Sequence, residues 1–158
     1  MGAVRATINL TSLDAYVREK HGRARALSPD EIAVVQRWGE LMLTFIQASW
    51  PVDTGTSRDA WTFYVDPSPG TMALIIENPM WYADYVYGKG DVTRTPIWEG
   101  ILVEAWSLSR QGLLIEARAR VDKTEAAIAT LAPQITSLDA VARVFGRPQS
   151  VVSSAPVL

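Results

Sequence analysis

The amino-acid sequence predicts an α+β fold, in which an amphipathic helix packs on a small curved antiparallel sheet and a long helical region follows. Three observations predict this fold: a capped helical segment from Ser28, two strand-like segments joined by a turn at 66–70, and helical periodicity from Pro96. We therefore expect an N-terminal arm at 1–27, an α+β domain at 28–132, and a short helix with a tail at 133–158.

The helix after Ser28 has the clearest start signal in the chain. Ser28 and Glu31 have the spacing of a capping box, and Pro29 stands at the first helical position. Apolar residues then recur at helical intervals, which predicts the core helix of the domain, and Pro51 is expected to end it. These apolar residues are Ile32, Val35, Trp38, Met42, Phe45 and Ile46.

The segments on either side of the turn predict an antiparallel hairpin. Residues 60–66 are rich in aromatic and β-branched side chains, residues 66–70 contain two prolines and a glycine, and residues 71–77 form the returning strand. The aromatic segment 81–87 is expected to form a short helix or a third strand. The helical pattern of 96–131 is expected to bend near Gly112 and to end at Pro133, before another short helix.

Composition excludes several classes of function. The chain has 158 residues, no cysteine and one histidine, so thiol catalysis and cysteine-ligated metals are excluded and no cofactor or metal is expected. A net charge of -2 argues against a protein that binds free nucleic acid, although DNA can still pass through a ring of subunits. No apolar run approaches the roughly 20 residues of a membrane span, and no secretion signal is recognisable. We therefore expect a soluble product that is made in the cytoplasm.

The sequence Pro51-Val52-Asp53-Thr54-Gly55 predicts a structural hinge between the core helix and the hairpin. Proline ends a helix, Asp53 can accept from backbone N–H groups in an Asx turn, and Gly55 tolerates a positive φ. Thr54 completes this hinge. Arg58 is close enough to pair with Asp53, with Asp59 or with a neighbouring subunit.

The same residues also allow an enzymatic interpretation. Residues 52–55 match the catalytic triplet of dimeric aspartic proteases, in which Asp53 would share a proton with its counterpart in a second copy. That family, however, has an apolar strand before the triplet and Ala after it, whereas Trp50-Pro51 and Thr56 stand here. We therefore favour a protein without catalytic residues.

The order of these motifs resembles the neck, or tail-completion, proteins of long-tailed siphophages and gene transfer agents. The matching blocks are the hinge with Arg58, the hairpin, Asn78, and Tyr82-Ala83-Asp84-Tyr85-Val86 before a glycine-containing loop. The resemblance covers residues 32–90, and the family often has Glu at the position of Tyr87.

The resemblance implies a structural protein of the virion that is assembled in the host cytoplasm. Its copies would form a ring, commonly a hexamer, that ends the tail tube and docks onto the head connector. Its partners would be the tail tube protein and the connector or stopper protein, with DNA only passing through. Whether the subunit is the terminator or the stopper stays open, and so does an α+β binding module of a soluble bacterial protein.

The aromatic segment and its loop are the predicted subunit interface. The residues concerned are Trp81, Tyr82, Tyr85, Tyr87 and Lys89. Aromatic side chains are enriched at protein interfaces, although a segment of this kind can also close a core, and both interpretations can hold together.

Overall fold

The computed structural model describes residues 3–50, 56–81, 83 and 97–144, and within the last helix it describes the side chains of 100–131. The elements are β1 (Val4–Asn9), α1 (Thr11–His21), α2 (Pro29–Ser49), α3 (Thr56–Asp59), β2 (Thr62–Asp66), β3 (Ala73–Asn78) and α4 (Ile97–Val144). Within these residues the molecule is thus an α+β protein with helices on a three-stranded antiparallel sheet, as the sequence predicted. The chain divides into two compact units, Met1–Asp122 and Lys123–Leu158.

The sheet has the order β1-β3-β2, and both outer strands run antiparallel to β3. The hairpin of β2 and β3 confirms the prediction, with Gly70 at a φ of 85° in the connecting turn. Because β3 lies in the centre, its side chains are flanked by those of both outer strands, and Leu74, Ile75 and Ile76 are all buried. The central strand therefore anchors the core of the first unit.

The N-terminal residues belong to this core and do not form the predicted arm. Strand β1 pairs with β3 from Val4 opposite Asn78 to Asn9 opposite Ala73. Helix α1, which the sequence allowed as a short capped helix, buries Leu13 and Val17 and ends at Gly22 with a φ of 82°. The alternation of apolar residues at positions 4, 6 and 8 is the strand signal, since it places one face of β1 against the core.

Helix α2 packs on the sheet and has the predicted capping box. The Ser28 hydroxyl accepts from the Glu31 N–H at 3.2 Å, and the Glu31 carboxylate accepts from the Ser28 N–H at 2.8 Å. Glu31 is buried, and two hydrogen bonds from Arg25, at 2.7 and 2.9 Å, compensate its carboxylate there. Gly39 lets the helix approach the sheet, since a Cβ there would lie 2.8 Å from the Phe63 ring.

Helix α4 differs from its prediction at both suspected breaks. It continues through Gly112, which lies against the ring of Trp38, and it continues past Pro133 to Val144. A proline inside a helix removes one hydrogen bond and tends to kink the helix, and here it does not end it. Among the described residues no helix is long and apolar enough to cross a membrane.

Candidate functional site

The chain turns from α2 to the sheet at a corner formed by the end of α2, helix α3 and the start of β2. Helix α2 ends at Ser49, before the position of Pro51. Four predicted hinge residues lie outside the described part of the chain, namely Pro51, Asp53, Thr54 and Gly55. Asp53, on which the protease interpretation depends, is one of these four residues.

Arg58, the described residue of the predicted hinge, pairs with its neighbour in α3. Its Nε donates to Asp59 Oδ1 at 2.8 Å, which realises one of the pairings that the sequence allowed. This hydrogen bond is the main cause of a lowered pKa for Asp59 and a raised pKa for Arg58. The Gln47 side chain donates to the carbonyl of Arg58 at 3.3 Å, so α3 is held against the last turn of α2.

Two buried tryptophans form the floor of the corner. Trp50 and Trp61 meet edge to face with centroids 5.1 Å apart, and Trp50 Nε1 donates to the Ser57 hydroxyl at 3.0 Å. Trp61 Nε1 is buried without a hydrogen-bond partner among the described residues. The pair fixes the end of α2 against the start of β2, because edge-to-face aromatic packing adds to the burial of both rings.

Asn78 connects this corner to the start of the aromatic segment. Its side chain is fully buried; the amide group donates to the Ser57 carbonyl at 2.7 Å, and the Oδ1 atom accepts from the Met80 N–H at 3.1 Å. The Ala83 N–H then donates to the Met80 carbonyl at 3.0 Å. The last residue of β3 thus determines how the chain leaves the sheet towards the predicted interface.

Of the predicted interface residues, the structure describes the first, Trp81. Trp81 is 63% exposed, directly after the segment that Asn78 orients. Four other interface residues lie outside the described part of the chain, namely Tyr82, Tyr85, Tyr87 and Lys89. Ala83 is buried, so the start of the segment contributes to the core and also presents an aromatic surface.

A hollow beside α4 is a separate feature of the first unit. This hollow of about 450 Å³ is lined by six residues of α4 alone, so it is a groove beside a helix, whereas a ligand pocket brings together polar groups from several elements. No group of three or more metal-ligating side chains occurs among the described residues.

Sequence reasoning missed the roles of Asn78 and of the two tryptophans. In the sequence, Asn78 stands before a proline and therefore indicates only the end of a strand. Its hydrogen bond to the Ser57 carbonyl is visible only in the folded chain. Trp50 and Trp61 lie 11 positions apart on different elements, so no local pattern relates them. No protein-family model, curated protein or solved structure matches the chain.

Proposed function

We propose that this chain is a structural, non-enzymatic subunit of the neck of a long-tailed phage particle. Its copies form a ring of six that ends the tail tube and binds the head connector, while DNA passes through the channel. The protein then resides in the neck of the virion after assembly in the host cytoplasm. Support comes from the α+β fold and from the hydrogen bond that Asn78 donates to Ser57. This bond joins the Asn of the family pattern to the segment that contains Arg58.

The observation that carries the proposal is the bridge made by Asn78. The family pattern contains an Asn between the hinge and the aromatic segment, and here that Asn joins the corner after the hinge to the first turn of the aromatic segment. A buried amide with both its donor and its acceptor satisfied holds the two parts in one arrangement. Such a scaffold suits a surface that must be presented to another subunit.

Trp81 is the described residue on that surface. A tryptophan exposed over 63% of its area leaves a large apolar face in water, and tryptophan is among the residues that contribute most to binding between proteins. A ring interface is heterologous, so the surface that contains Trp81 would contact a different surface of the next copy.

The test compares Trp81→Ala with Leu41→Ala, a matched loss of an exposed apolar side chain on α2. The purified chain is mixed with the tail tube protein of the same phage, and rings are counted by native mass spectrometry and negative-stain microscopy. We expect Trp81→Ala to lower ring formation at least about tenfold, which corresponds to roughly 1.4 kcal/mol per interface. Leu41→Ala should assemble as the unchanged chain does.

Circular dichroism and thermal unfolding of both variants establish that each is folded. If the unchanged chain forms no ring and does not attach to tail tubes, the proposed function is wrong. If rings form equally well with Trp81→Ala, the interface does not include the aromatic segment.

A further inference from the structure

The two outer strands of the sheet give the first unit a pair of similar edges. Within the described part of the chain, β1 and β2 are each hydrogen-bonded to β3 alone. Both run antiparallel to β3, so they run parallel to each other on opposite sides of the sheet. A strand edge of this kind presents a row of backbone donors and acceptors to a partner.

Apart from one charge each, Arg5 on β1 and Asp66 on β2, neither strand carries the features that usually protect an edge. Both pair with β3 in an unbroken register, without a bulge, and neither contains proline or lysine. The one charge on β1, Arg5, reaches across β3 to Tyr64 on the other outer strand. Its guanidinium lies 5.7 Å from the centre of the Tyr64 ring and donates to the Tyr64 hydroxyl. The backbone edge of β1 is therefore not guarded by this charge.

The two edge strands also place similar kinds of residue on each face of the sheet. On the core side, Ala6 and Ile8 of β1 and Phe63 and Val65 of β2 are only partly buried, whereas Leu74 and Ile76 of the central strand are fully buried. On the other side both strands present mainly polar residues: Arg5, Thr7 and Asn9 on β1, and Thr62, Tyr64 and Asp66 on β2. Joining β1 to β2 would extend both faces and cover apolar area that each edge leaves open.

We propose that β1 of one copy pairs in parallel with β2 of the next copy, which joins the sheets of neighbouring subunits edge to edge. The inference rests on the proposed function, in that it names a surface through which the copies of the ring meet. The contact is heterologous, so each copy is related to the next by the same rotation, and the ring closes when that rotation divides the full circle. Main-chain hydrogen bonds between β1 and β2 supply affinity. Because a shift of one residue would exchange the apolar and polar faces, only registers that differ by two residues are allowed.

The number of strands agrees with a central channel. Six copies with the three strands of the described residues each give a closed sheet of roughly 18 strands, and barrels of this size leave an aqueous channel. Helix α2 covers the face that carries Phe63 and Leu74, so the opposite, polar face lines the channel. The charged residues that the strands place on this face are Arg5, Asp66 and Glu77, a nearly balanced set that suits the passage of DNA without tight binding.

Disulfide crosslinking tests the pairing directly, because the chain has no cysteine of its own. Neighbouring strands lie about 4.8 Å apart, within the roughly 4.4–6.8 Å between Cα atoms that a disulfide spans. Thr7→Cys is combined in turn with Thr62→Cys, Tyr64→Cys or Asp66→Cys, which scans three registers with the polar faces aligned. Assembled rings are oxidised and run on a gel without reductant. We expect one pair to give a ladder of crosslinked species up to the full ring, which reductant abolishes.

The controls separate this inference from the proposed function. Thr7→Cys combined with Glu19→Cys, an exposed position on α1, should stay monomeric, and so should each single cysteine. If microscopy shows rings but none of the three pairs gives a ladder, the edge pairing is wrong and the proposed function stands. Dimers from a single cysteine would mean that like edges meet, which also overturns the inference. If the unchanged chain neither forms rings nor attaches to tail tubes, the proposed function itself fails.

Discussion

At the scale of single residues, Asn78 determines the geometry of the candidate site. It is the last residue of β3 and pairs with Val4, the first residue of β1, so the same position ends the sheet and begins the path to Trp81. A buried side-chain amide is costly when unpaired, because its hydration is lost on folding. Here its hydrogen bonds to Ser57 and Met80 replace that hydration, and they tie together three parts of the chain.

Replacing Asn78 with Ala is expected to lower the free energy of unfolding by about 2 to 4 kcal/mol, since the Ser57 carbonyl and the Met80 N–H both lose their partner. Urea denaturation measures this loss. The same substitution at Asn9, which is exposed on β1, is the matched control and should change the value by less than about 0.5 kcal/mol. Equal effects at the two positions would contradict the bridging role of Asn78.

Asp66, at the end of β2, is expected to make part of the stability depend on pH. The backbone N–H of Ser68, which donates to Oδ1 at 3.0 Å, is the main cause of a lowered pKa for Asp66, and the hydroxyl of Thr71 adds to it. Because the pKa is lower in the folded state, the carboxylate stabilises the protein above the unfolded value of about 3.9. That stabilisation is lost as the pH falls through the folded value.

Asp66→Asn keeps an oxygen acceptor but removes the charge, so it should have a lower Tm than the unchanged chain at pH 7. The difference is expected to shrink as the pH falls below about 5 and to vanish once Asp66 is protonated. Thermal unfolding followed by circular dichroism between pH 7 and pH 2 measures it. A difference in Tm that stays constant over this range would show that the charge of Asp66 contributes nothing.

At the scale of secondary-structure elements, the approach of α4 to α2 depends on a glycine. Trp38 of α2 donates from Nε1 to Glu116 Oε2 at 2.7 Å, and Glu116 also pairs with Arg37. The Trp38 ring lies over Gly112, where an added Cβ would overlap Cη2 of the ring. Gly112 was expected to bend the helix, but its role is to leave room for an aromatic ring.

Gly112→Ala is therefore expected to destabilise the protein by about 1 to 3 kcal/mol, although Ala favours a helix by roughly 1 kcal/mol over Gly. Gly100 of the same helix has no atom within 4 Å of an added Cβ, so Gly100→Ala should instead stabilise by up to about 1 kcal/mol. Urea denaturation compares the two variants. If both variants are stabilised, the contact between Trp38 and Gly112 does not limit packing.

At the scale of the whole molecule, the sequence predicted the elements whose signals are local. The capping box of Ser28 and Glu31 lies within four residues, and the turn around Gly70 joins strands that are adjacent in sequence. Strand β1 was not predicted, because its partner β3 lies about 70 residues further along and its six residues resemble an arm when read alone. The bridge of Asn78 escaped prediction for the same reason, since it joins residues 21 positions apart.

Because β3 is the central strand, the sheet can form only after β3 has been synthesised. Strand β1 leaves the ribosome first, but it has nothing to pair with until β3, the last of the three strands, has been synthesised. The β2–β3 hairpin closes a short loop and can form rapidly, whereas docking of β1 must close a loop of more than 60 residues and is entropically slower. A nascent chain therefore holds a finished hairpin with one vacant side before β1 arrives, and at high concentration β1 of another chain can occupy that side by domain swapping.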